Sequence, residues 1–169
     1  MKTVKRCLLL MLCAAMLAPT ASAAGNRARV QSAGTNCPSY DSADAYGKSA
    51  VGQSDLERQV VAQVNAERAN AGLSRLRVDT ELTRAARVRA AEIARSFSHT
   101  RPDGSAWNTV SGAVYAENIA MQRTADKVMA AWMSSSGHRA NILRASYGSI
   151  GVCAYVSGGV TYWVQLFGK

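Results

Sequence analysis

The sequence is poor in the residues and patterns that mark several classes of protein. Among its 169 residues are only 4 cysteines, 3 prolines and 2 histidines. The cysteines form no CxxC pair, which argues against a cysteine-based metal site. The sequence also contains no GxSxG nucleophile elbow and no HExxH zinc motif, so no local motif indicates a hydrolase. No internal repeat is visible, and the length suits one domain with a tail.

Charge and hydropathy set further limits. Hydrophobic residues make up 48% of the chain, which excludes wholesale disorder. The 20 basic and 11 acidic residues give a net charge of +9, which indicates either an acidic partner or a solvated basic face. The longest apolar run lies at the extreme N-terminus and is shorter than the roughly 20 residues that a membrane-spanning helix needs.

The N-terminal segment has the three parts of a secretory signal peptide. Residues 2–6 carry three positive charges, Cys7–Ala18 is apolar, and Ala21–Ala23 is a small-x-small cleavage site. We therefore predict a signal peptide over residues 1–23 and a secreted or periplasmic protein without a transmembrane segment after its removal. An N-terminal membrane anchor is the alternative, which the short apolar run disfavours.

Export decides how the cysteines are interpreted. Cys7 and Cys13 leave with the signal peptide, and Cys37 and Cys153 remain in a compartment that favours oxidation. A disulfide between these two would close a loop of more than 100 residues. In the chain-entropy model such a link stabilises the fold by up to about 4–5 kcal/mol. Two free thiols that lie too far apart to join are the alternative.

Export also changes what the positive charge indicates. Cleavage after Ala23 removes 23 of the 169 residues and three of the nine net positive charges, so the mature protein keeps +6. Outside the cytoplasm the available anions are cell-wall polymers, lipopolysaccharide and phospholipid head groups. We therefore expect an anionic envelope component or a lipid as partner, and no nucleic acid.

The mature chain is predicted to begin with an arm and then a helix. Residues 24–53 are rich in Gly, Ser, Ala and Asn and have few large apolar side chains, which is typical of a flexible arm. The pattern of Ser54–Glu57 is that of a capping box, and it starts a helix that ends near Asn70. Residues 73–78 are interpreted as a connection.

A second helix follows, capped by Asp79 or Thr80. Apolar residues recur along it at spacings of three and four: Leu82, Ala86, Ala90, Ile93, Ala94 and Phe97. This stripe predicts one buried face. The helix is expected to end at about residues 96–98, just before His99.

The C-terminal half changes from helical to extended patterns. Thr124 opens a third helix that Gly137 ends, and residues 138–143 add one helical turn. The β-branched and aromatic residues of 149–156 and 160–167 predict two strands, joined as a hairpin by a Ser-Gly-Gly turn. Helices followed by an antiparallel hairpin predict an α+β domain, because helices and sheet must bury each other's apolar faces.

Three residues outside the apolar stripes have side chains suited to chemistry. His99 follows the second helix, His138 follows the third, and Glu117 is the only acid between Asp103 and Asp126. Imidazole transfers protons near neutral pH and binds borderline metals. A carboxylate in an apolar segment needs a partner when it is buried. A shared His–Glu–His site is one interpretation, and a helix-capping glutamate with surface histidines is the other.

Several short motifs follow one another in a recognisable order. They are Val61–Arg68 (VAQVNAER), Phe97–Gly104 (FSHTRPDG), Ala116–Ala120 (AENIA), Ser136–Leu143 (SGHRANIL), Ile150–Val152 (IGV) and Tyr162–Gly168 (YWVQLFG). Together they resemble the bacterial branch of the CAP superfamily (cysteine-rich secretory proteins, antigen 5 and pathogenesis-related 1), also called SCP-like extracellular proteins. Each motif alone is weak, but their order in a secreted chain of this length is specific.

The resemblance implies a three-layer α-β-α sandwich, a CAP domain over residues 54–169 with the hairpin at its C-terminus. It also implies a cleft lined by two histidines and acidic residues, to which His99, Glu117 and His138 correspond. A further glutamate that the family usually carries after the first histidine is absent, and Asp103, in a Pro-Asp-Gly turn, is the only acid available there. Some members bind zinc or another divalent metal through the two histidines, so His99 and His138 are candidate metal ligands.

The resemblance leaves the function open, because this fold carries several activities. The preferred hypothesis is a secreted module whose cleft binds an envelope or extracellular lipid, glycan or peptide, with Trp107 and Asp103 as candidate ligand contacts. The alternative is a metal- or histidine-assisted hydrolase acting on peptide or cell-wall bonds, in which Glu117, His99 and His138 are catalytic. A third hypothesis makes the polar cluster purely structural.

Overall fold

The structure is a computed structural model, and it describes residues 53–169. The predicted signal peptide (residues 1–23), Cys37 and nearly all of the predicted arm (residues 24–53) lie outside the described residues. Within the described part, no helix is both long enough and apolar enough to cross a membrane.

In the described residues, all of the helices precede a C-terminal hairpin. In chain order the elements are α1 (Asp55–Asn70), β1 (Arg77–Val78), α2 (Thr80–Arg95), a 3₁₀ helix (Trp107–Val110), β2 (Ala116–Met121), α3 (Ala125–Ser134), α4 (Ser136–Ile142), β3 (Ser149–Ser157) and β4 (Val160–Gly168). The predicted α+β class and the predicted hairpin are confirmed.

Side-chain caps fix where α1, α2 and α3 begin. Ser54 and Glu57 form the predicted capping box, in which each side chain accepts a hydrogen bond from the other residue's amide. Asp79 caps α2 by accepting a hydrogen bond from the Leu82 amide at 2.9 Å. Thr124 caps α3 in the same way. Each cap of this kind contributes about 1 kcal/mol to stability.

The four strands form one mixed sheet in the order β1-β3-β4-β2. β3 and β4 pair antiparallel, and Gly158 and Gly159 close their turn with φ angles of 56° and 77°, which other residues rarely adopt. β2 lies antiparallel to β4 at one edge, with Glu117 opposite Leu166. β1 lies parallel to β3 at the other edge.

Helices cover both faces of the sheet. On one face, α1, α3 and α4 pack on strand residues such as Val152 and Trp163. On the other face, α2 packs on the alternate residues of β3 and β4, such as Cys153 and Val164. This is the predicted three-layer α-β-α sandwich, in which each layer buries the apolar stripe of its helices.

α2 approaches the sheet closely at Gly151. A Cβ atom at this position would lie 2.2 Å from the carbonyl carbon of Leu82 and 2.4 Å from the backbone nitrogen of Thr83. Only glycine allows the two backbones to come this close. The contact fixes the start of α2 on β3 and so sets the position of Arg89, two helical turns further along.

Arg68 of α1 holds the loop that follows α4. Its guanidinium is fully buried and donates to the carbonyls of Ile142, Arg144 and Tyr147 at 2.8, 3.0 and 3.2 Å. Its Nε donates to the Ser74 carbonyl at 2.8 Å. Burial lowers the pKa of Arg68 from its ordinary value, and these carbonyls take the place of water around the charge. The backbone at Arg144 and Tyr147 is thereby fixed.

The sequence pattern does not reveal β1 or β2. β1 consists of two exposed residues in the segment interpreted as a connection. β2 buries Glu117 and Asn118 beside Ala116 and Ile119, so its polar and apolar residues do not alternate. Pairing with β3 and β4 determines both strands, and such pairing leaves no local signal.

Candidate functional site

Glu117 is the buried centre of the candidate site. It lies on β2, on the same face as Ile119, which packs under α2. None of its side chain is exposed. An ionised carboxylate at that depth is costly unless charged or hydrogen-bonding partners surround it. Its partners come from α2 and from the loop that follows α2.

Arg89 of α2 supplies the opposite charge. Its side chain is fully buried and contacts Glu117 twice, from Nε to Oε2 at 2.7 Å and from Nη2 to Oε1 at 3.2 Å. Burial alone lowers the pKa of Arg89, but hydrogen bonds with Glu117 and then Glu92 outweigh it and raise that pKa above its ordinary value. Arg89 is therefore a permanent cation, and a two-point contact of this kind is strong and directional.

A second carboxylate extends the network to the loop after α2. Glu92 accepts hydrogen bonds from Arg89 Nη1 at 2.5 Å and from Arg101 Nη2 at 2.7 Å. The hydrogen bond to Glu92 raises the pKa of Arg101. Arg101, Glu92, Arg89 and Glu117 thus form a chain of alternating charge. This chain fastens the loop that carries His99 to α2.

His99 stands at the end of this chain, and its ring reaches the surface. Nδ1 lies 2.8 Å from Oε1 of Glu117, and 53% of the side chain is exposed. Because an ionised carboxylate can only accept hydrogen bonds, we assign the proton of this contact to Nδ1. In the neutral ring Nε2 then keeps its lone pair, which can accept a hydrogen bond, take a proton or bind a metal.

The ring of His99 lies in an open cleft of about 410 Å³. The residues that line the cleft are His99, Trp107, Tyr115, Ala116, Glu117, Asn141, Arg144 and Tyr147. Cations lie against two of the rings: Arg144 Cζ is 5.6 Å from the Tyr147 centroid, and Lys169 Nζ is 4.4 Å from the Tyr115 centroid. The cleft is therefore aromatic and basic.

His138 does not line this cleft. It lies half-buried on α4, and its backbone carbonyl accepts a hydrogen bond from Asn118 Nδ2 at 3.2 Å. Partial burial lowers the pKa of His138, and the charge of His99 lowers it further. The structure thus brings His99 into direct contact with Glu117 and places His138 in their neighbourhood.

A ladder of amides joins α4 to the sheet beside the site. Asn141 donates to Oδ1 of Asn118 at 2.9 Å, and Asn118 donates to Oε1 of Gln165 at 3.1 Å. Asn118 and Gln165 have no exposed surface, so these partners replace water. The ladder fixes the helix that carries His138.

The two candidate ligand contacts, Trp107 and Asp103, lie in different places. Trp107 begins the 3₁₀ helix, is half-buried and lines the cleft. Asp103 is exposed, and its carboxylate accepts hydrogen bonds from the amide and the hydroxyl of Ser105 at 2.9 and 2.6 Å. These hydrogen bonds lower the pKa of Asp103. Asp103 is not among the residues lining the cleft and stabilises its own turn.

Arg89 and Glu92 belong to the site but do not stand out in the sequence motifs. The helix period does carry a signal for Arg89, which lies three residues after Ala86 and four before Ile93 on the buried stripe. A cation in such a position indicates a buried anion as partner. No comparable signal marks the loop residue Arg144.

The donor set does not fit a tightly held metal ion. Within residues 53–169 no group of three or more His, Cys, Asp or Glu side chains could hold one. Glu117, which would be the third ligand beside two imidazoles, has both oxygens engaged by Arg89 and His99. The remaining nitrogens, on His99 and His138, would make an open and weak site.

Comparisons with known proteins agree with this fold. The family model described as "CAP: Cysteine-rich secretory protein family" matches residues 61–167, more than half of the chain. The uncharacterized protein YkwD of Bacillus subtilis (strain 168) is 38% identical over 125 residues, which are 69% of this chain and 48% of YkwD. The chain therefore spans about half the length of this curated relative.

Solved structures share the architecture. An extracellular protein containing a SCP domain from Bacillus anthracis str. Ames matches with a TM-score of 0.61 and 23% identity, over 68% of this chain and 40% of that one. NaASP2, solved with Zn²⁺, matches with a TM-score of 0.58 and 15% identity, over 72% of this chain and 84% of that one. At these identities the likeness shows the fold alone.

Proposed function

Because the chain belongs to the CAP family of cysteine-rich secretory proteins, we propose that it is an extracytoplasmic binding module whose cleft at His99 and Glu117 holds a ligand of the cell envelope or its surroundings. The signal-peptide pattern of residues 1–23 supports export. The Bacillus anthracis protein with the same fold is described as extracellular, which supports the same location.

A buried ion pair that holds an exposed imidazole in an aromatic cleft is the observation that supports this function. Burial of an ion pair such as Arg89 and Glu117 is weak evidence for a stabilising role, because apolar side chains of similar size in place of both residues often serve as well. The pair instead fixes His99, about half of which is exposed in the cleft. A rigid polar group among aromatic residues is the usual construction of a ligand site.

Binding without turnover tests the proposal. Purified cell-wall sacculi and anionic phospholipid vesicles are suitable probes at low ionic strength, since the mature protein is cationic. We expect the protein to sediment with at least one of them, and His99→Gln and Trp107→Leu to weaken that binding by about tenfold or more. Arg139→Gln is the matched control, because Arg139 is exposed on α4 and does not line the cleft. If the wild-type protein binds neither sacculi nor vesicles, the proposal is wrong.

A histidine-assisted hydrolase is the second candidate, and the contact between His99 and Glu117 favours it. In this scheme His99 Nε2 takes a proton from a water molecule that attacks the carbonyl carbon of an amide or ester. The C–N or C–O bond then breaks, and the imidazolium returns the proton to the leaving amine or alcohol. Glu117 accepts the hydrogen bond from Nδ1 and stabilises the imidazolium that forms. The geometry favours His99 over Glu117 as the base, because Arg89 and His99 already engage both carboxylate oxygens.

Turnover of cell-wall peptides and ester substrates tests the hydrolase. We expect His99→Asn to abolish turnover and Glu117→Gln to lower kcat by about 10²-fold or more, with the fold retained in both. Circular dichroism of each variant checks the fold. Equal activity in the wild type and His99→Asn would end this candidate.

Zinc binding is tested separately, since NaASP2, which shares the fold, was solved with Zn²⁺. His99 and His138 are the residues that would hold the ion, and with two protein nitrogens we expect weak binding at most. Calorimetric titration with Zn²⁺ compares the wild type with His99→Ala and His138→Ala. Saturable binding that both variants lose would support a shared metal site, and binding that neither variant changes would remove it.

A further inference from the structure

We propose, on the basis of the binding function above, that the cleft takes an anionic carbohydrate: a chain of pyranose rings that carry carboxylate or phosphate groups. The aromatic rings of the cleft, the cation Arg144, which forms no ion pair with a described carboxylate, and the occupied edge of β2 together point to this class of ligand.

Two aromatic rings offer surfaces to a ligand. Tyr115 is 48% exposed, and Trp107 is half-buried at the start of the 3₁₀ helix. Both residues are held in place: Trp107 packs on the core under α2, and the Tyr115 carbonyl accepts a hydrogen bond from the Tyr147 hydroxyl at 3.4 Å. Aromatic rings with one polar edge suit a ligand that has both an apolar face and hydroxyl groups, as a pyranose ring does.

Arg144 supplies a cation for the charge of the ligand. It lines the cleft, and no described carboxylate forms an ion pair with it. Arg68 fixes its backbone carbonyl at 3.0 Å. A guanidinium binds a carboxylate or a phosphate with two parallel hydrogen bonds. Lys169, whose Nζ lies over the Tyr115 ring, adds a second positive charge at the rim.

The negative charges of the site do not oppose an anion. Glu117 is the one acid among the described residues that line the cleft, and Arg89 and His99 surround it. Glu92, the other acid of the network, is held between Arg89 and Arg101. Both acids are therefore compensated by neighbouring cations, and neither leaves an unbalanced negative charge towards the cleft.

The lining does not suit the acyl chain of a lipid. A lipid tail binds in a channel with apolar walls, where it buries its methylene groups. Of the described residues that line the cleft, Ala116 is the single aliphatic one. A lipid would therefore have to bind through its head group alone.

The edge of β2 does not suit an added peptide strand either. Strand addition needs free backbone groups along the edge of a sheet. Side chains of the covering helices already use two of them: Trp132 Nε1 donates to the Ile119 carbonyl and Asn141 Nδ2 to the Glu117 carbonyl, each at 3.5 Å. A carbohydrate requires no such edge.

Four soluble probes separate the contributions of the sugar ring, of its negative charge and of the type of acidic group. Oligogalacturonate has a carboxylate on every pyranose ring, and its methyl ester has the same rings without the charge. A phosphorylated hexose oligomer has phosphate instead, and polyglutamate has carboxylates without rings. By calorimetry at low ionic strength we expect an acidic sugar to bind, and the methyl ester and polyglutamate to bind about tenfold or more weaker, the loss expected for one charge-assisted hydrogen bond.

Variants of the cleft test which residues hold the sugar. Arg144→Gln and Trp107→Leu are expected to weaken binding of the acidic sugar by about tenfold or more. Arg144→Lys keeps the charge without the planar fork and is expected to bind between the wild type and Arg144→Gln. Arg139→Gln, which removes an exposed cation of α4 that does not line the cleft, is expected to bind like the wild type. Thermal melts check that each variant is folded.

The outcomes separate this ligand class from the binding function. Equal binding of polyglutamate and oligogalacturonate would show that the protein binds any polyanion, and it would overturn the inference. Equal losses of binding in Arg139→Gln and Arg144→Gln would overturn it for the same reason. Binding to vesicles or sacculi that depends on Trp107, with no acidic sugar bound, would overturn the ligand class and leave the binding function standing. Failure to bind any probe, including sacculi and vesicles, would remove both. Stronger binding of the carboxylate or of the phosphate oligomer shows which kind of acidic polysaccharide the cleft prefers. Either preference supports the inference.

Discussion

Arg89 and Glu117 form a two-point ion pair, with N–O distances of 2.7 and 3.2 Å, at a depth where neither side chain has any exposed surface. The pair joins α2 to the edge strand β2. Because the two charges satisfy each other inside the protein, the exposed ring of His99 is the part of this network that reaches the surface. The position of that ring therefore depends on a buried contact between α2 and β2.

Removal of Arg89 is expected to destabilise the fold strongly. Arg89→Met leaves Glu117 and Glu92 buried without their shared partner, and breaking a buried pair in this way costs about 3–5 kcal/mol. Urea unfolding followed by circular dichroism measures the loss. Arg84→Met is the matched control, because Arg84 lies half-buried on the same helix and no described residue forms an ion pair with it.

We expect the control to change the free energy of unfolding by about 0.5 kcal/mol or less. A similar, small loss in Arg89→Met and Arg84→Met would contradict the importance of the network. A large loss in Arg89→Met alone would support it.

The neutral ring of His99 is expected to carry its proton on Nδ1. Glu117 Oε1 lies 2.8 Å from that nitrogen and can only accept. Nitrogen-15 chemical shifts of the imidazole in a long-range proton–nitrogen spectrum distinguish the two tautomers. Glu117→Gln is expected to weaken the preference, because an amide can donate as well as accept. A wild-type ring protonated on Nε2 would contradict the contact.

The sequence predicts those parts of the molecule whose signals are local. The capping box at Ser54 and the Ser-Gly-Gly turn of the hairpin each lie within a few residues, and both are confirmed. The site depends on contacts between distant segments. Arg144 enters the cleft on a loop whose backbone Arg68 holds from 76 positions away in the sequence. Arg89 is an intermediate case. Its position on the buried stripe of α2 can be predicted from nearby residues, but its partner Glu117 lies on a distant strand and cannot.

The stability of the protein is expected to vary with pH through His138. Its pKa is lower in the folded state than in the unfolded chain, because burial and then the charge of His99 oppose protonation. The unfolded state therefore binds the proton more readily, and stability rises with pH in this range. This contribution is fully present above the unfolded pKa of about 6.5 and is lost as the pH falls from there through the folded pKa.

Urea unfolding at several values between roughly pH 5.5 and 7.5 measures the effect. His138→Asn is expected to flatten the profile, and His99→Asn to flatten it less, because the charge of His99 is the smaller cause. The same slope in the wild type and in His138→Asn would contradict this assignment.

Gly151→Ala is expected to destabilise the fold by more than about 1–3 kcal/mol, the ordinary cost of overpacking. The new Cβ would lie 2.2 Å from the backbone carbonyl carbon of Leu82, so α2 would have to move away from β3. Urea unfolding measures the loss, and ligand binding should fall with it, because α2 also carries Arg89. Gly112→Ala is the control, since a Cβ there meets nothing within 4 Å. Similar stability of the two variants would contradict a close contact between α2 and β3.

Cys37 and Cys153 are expected to form a disulfide in the exported protein. Cys153 is fully buried in the core under α2, and these two cysteines are the ones that remain after residues 1–23 are removed. The denatured but unreduced protein should have a mass lower than that of the reduced protein by two hydrogens. Cys37→Ser is expected to lower the free energy of unfolding by up to about 4–5 kcal/mol. Reduction should destabilise the wild type by a similar amount and leave Cys37→Ser unchanged. Two thiols that react with an alkylating reagent in the denatured, unreduced wild type would contradict the link.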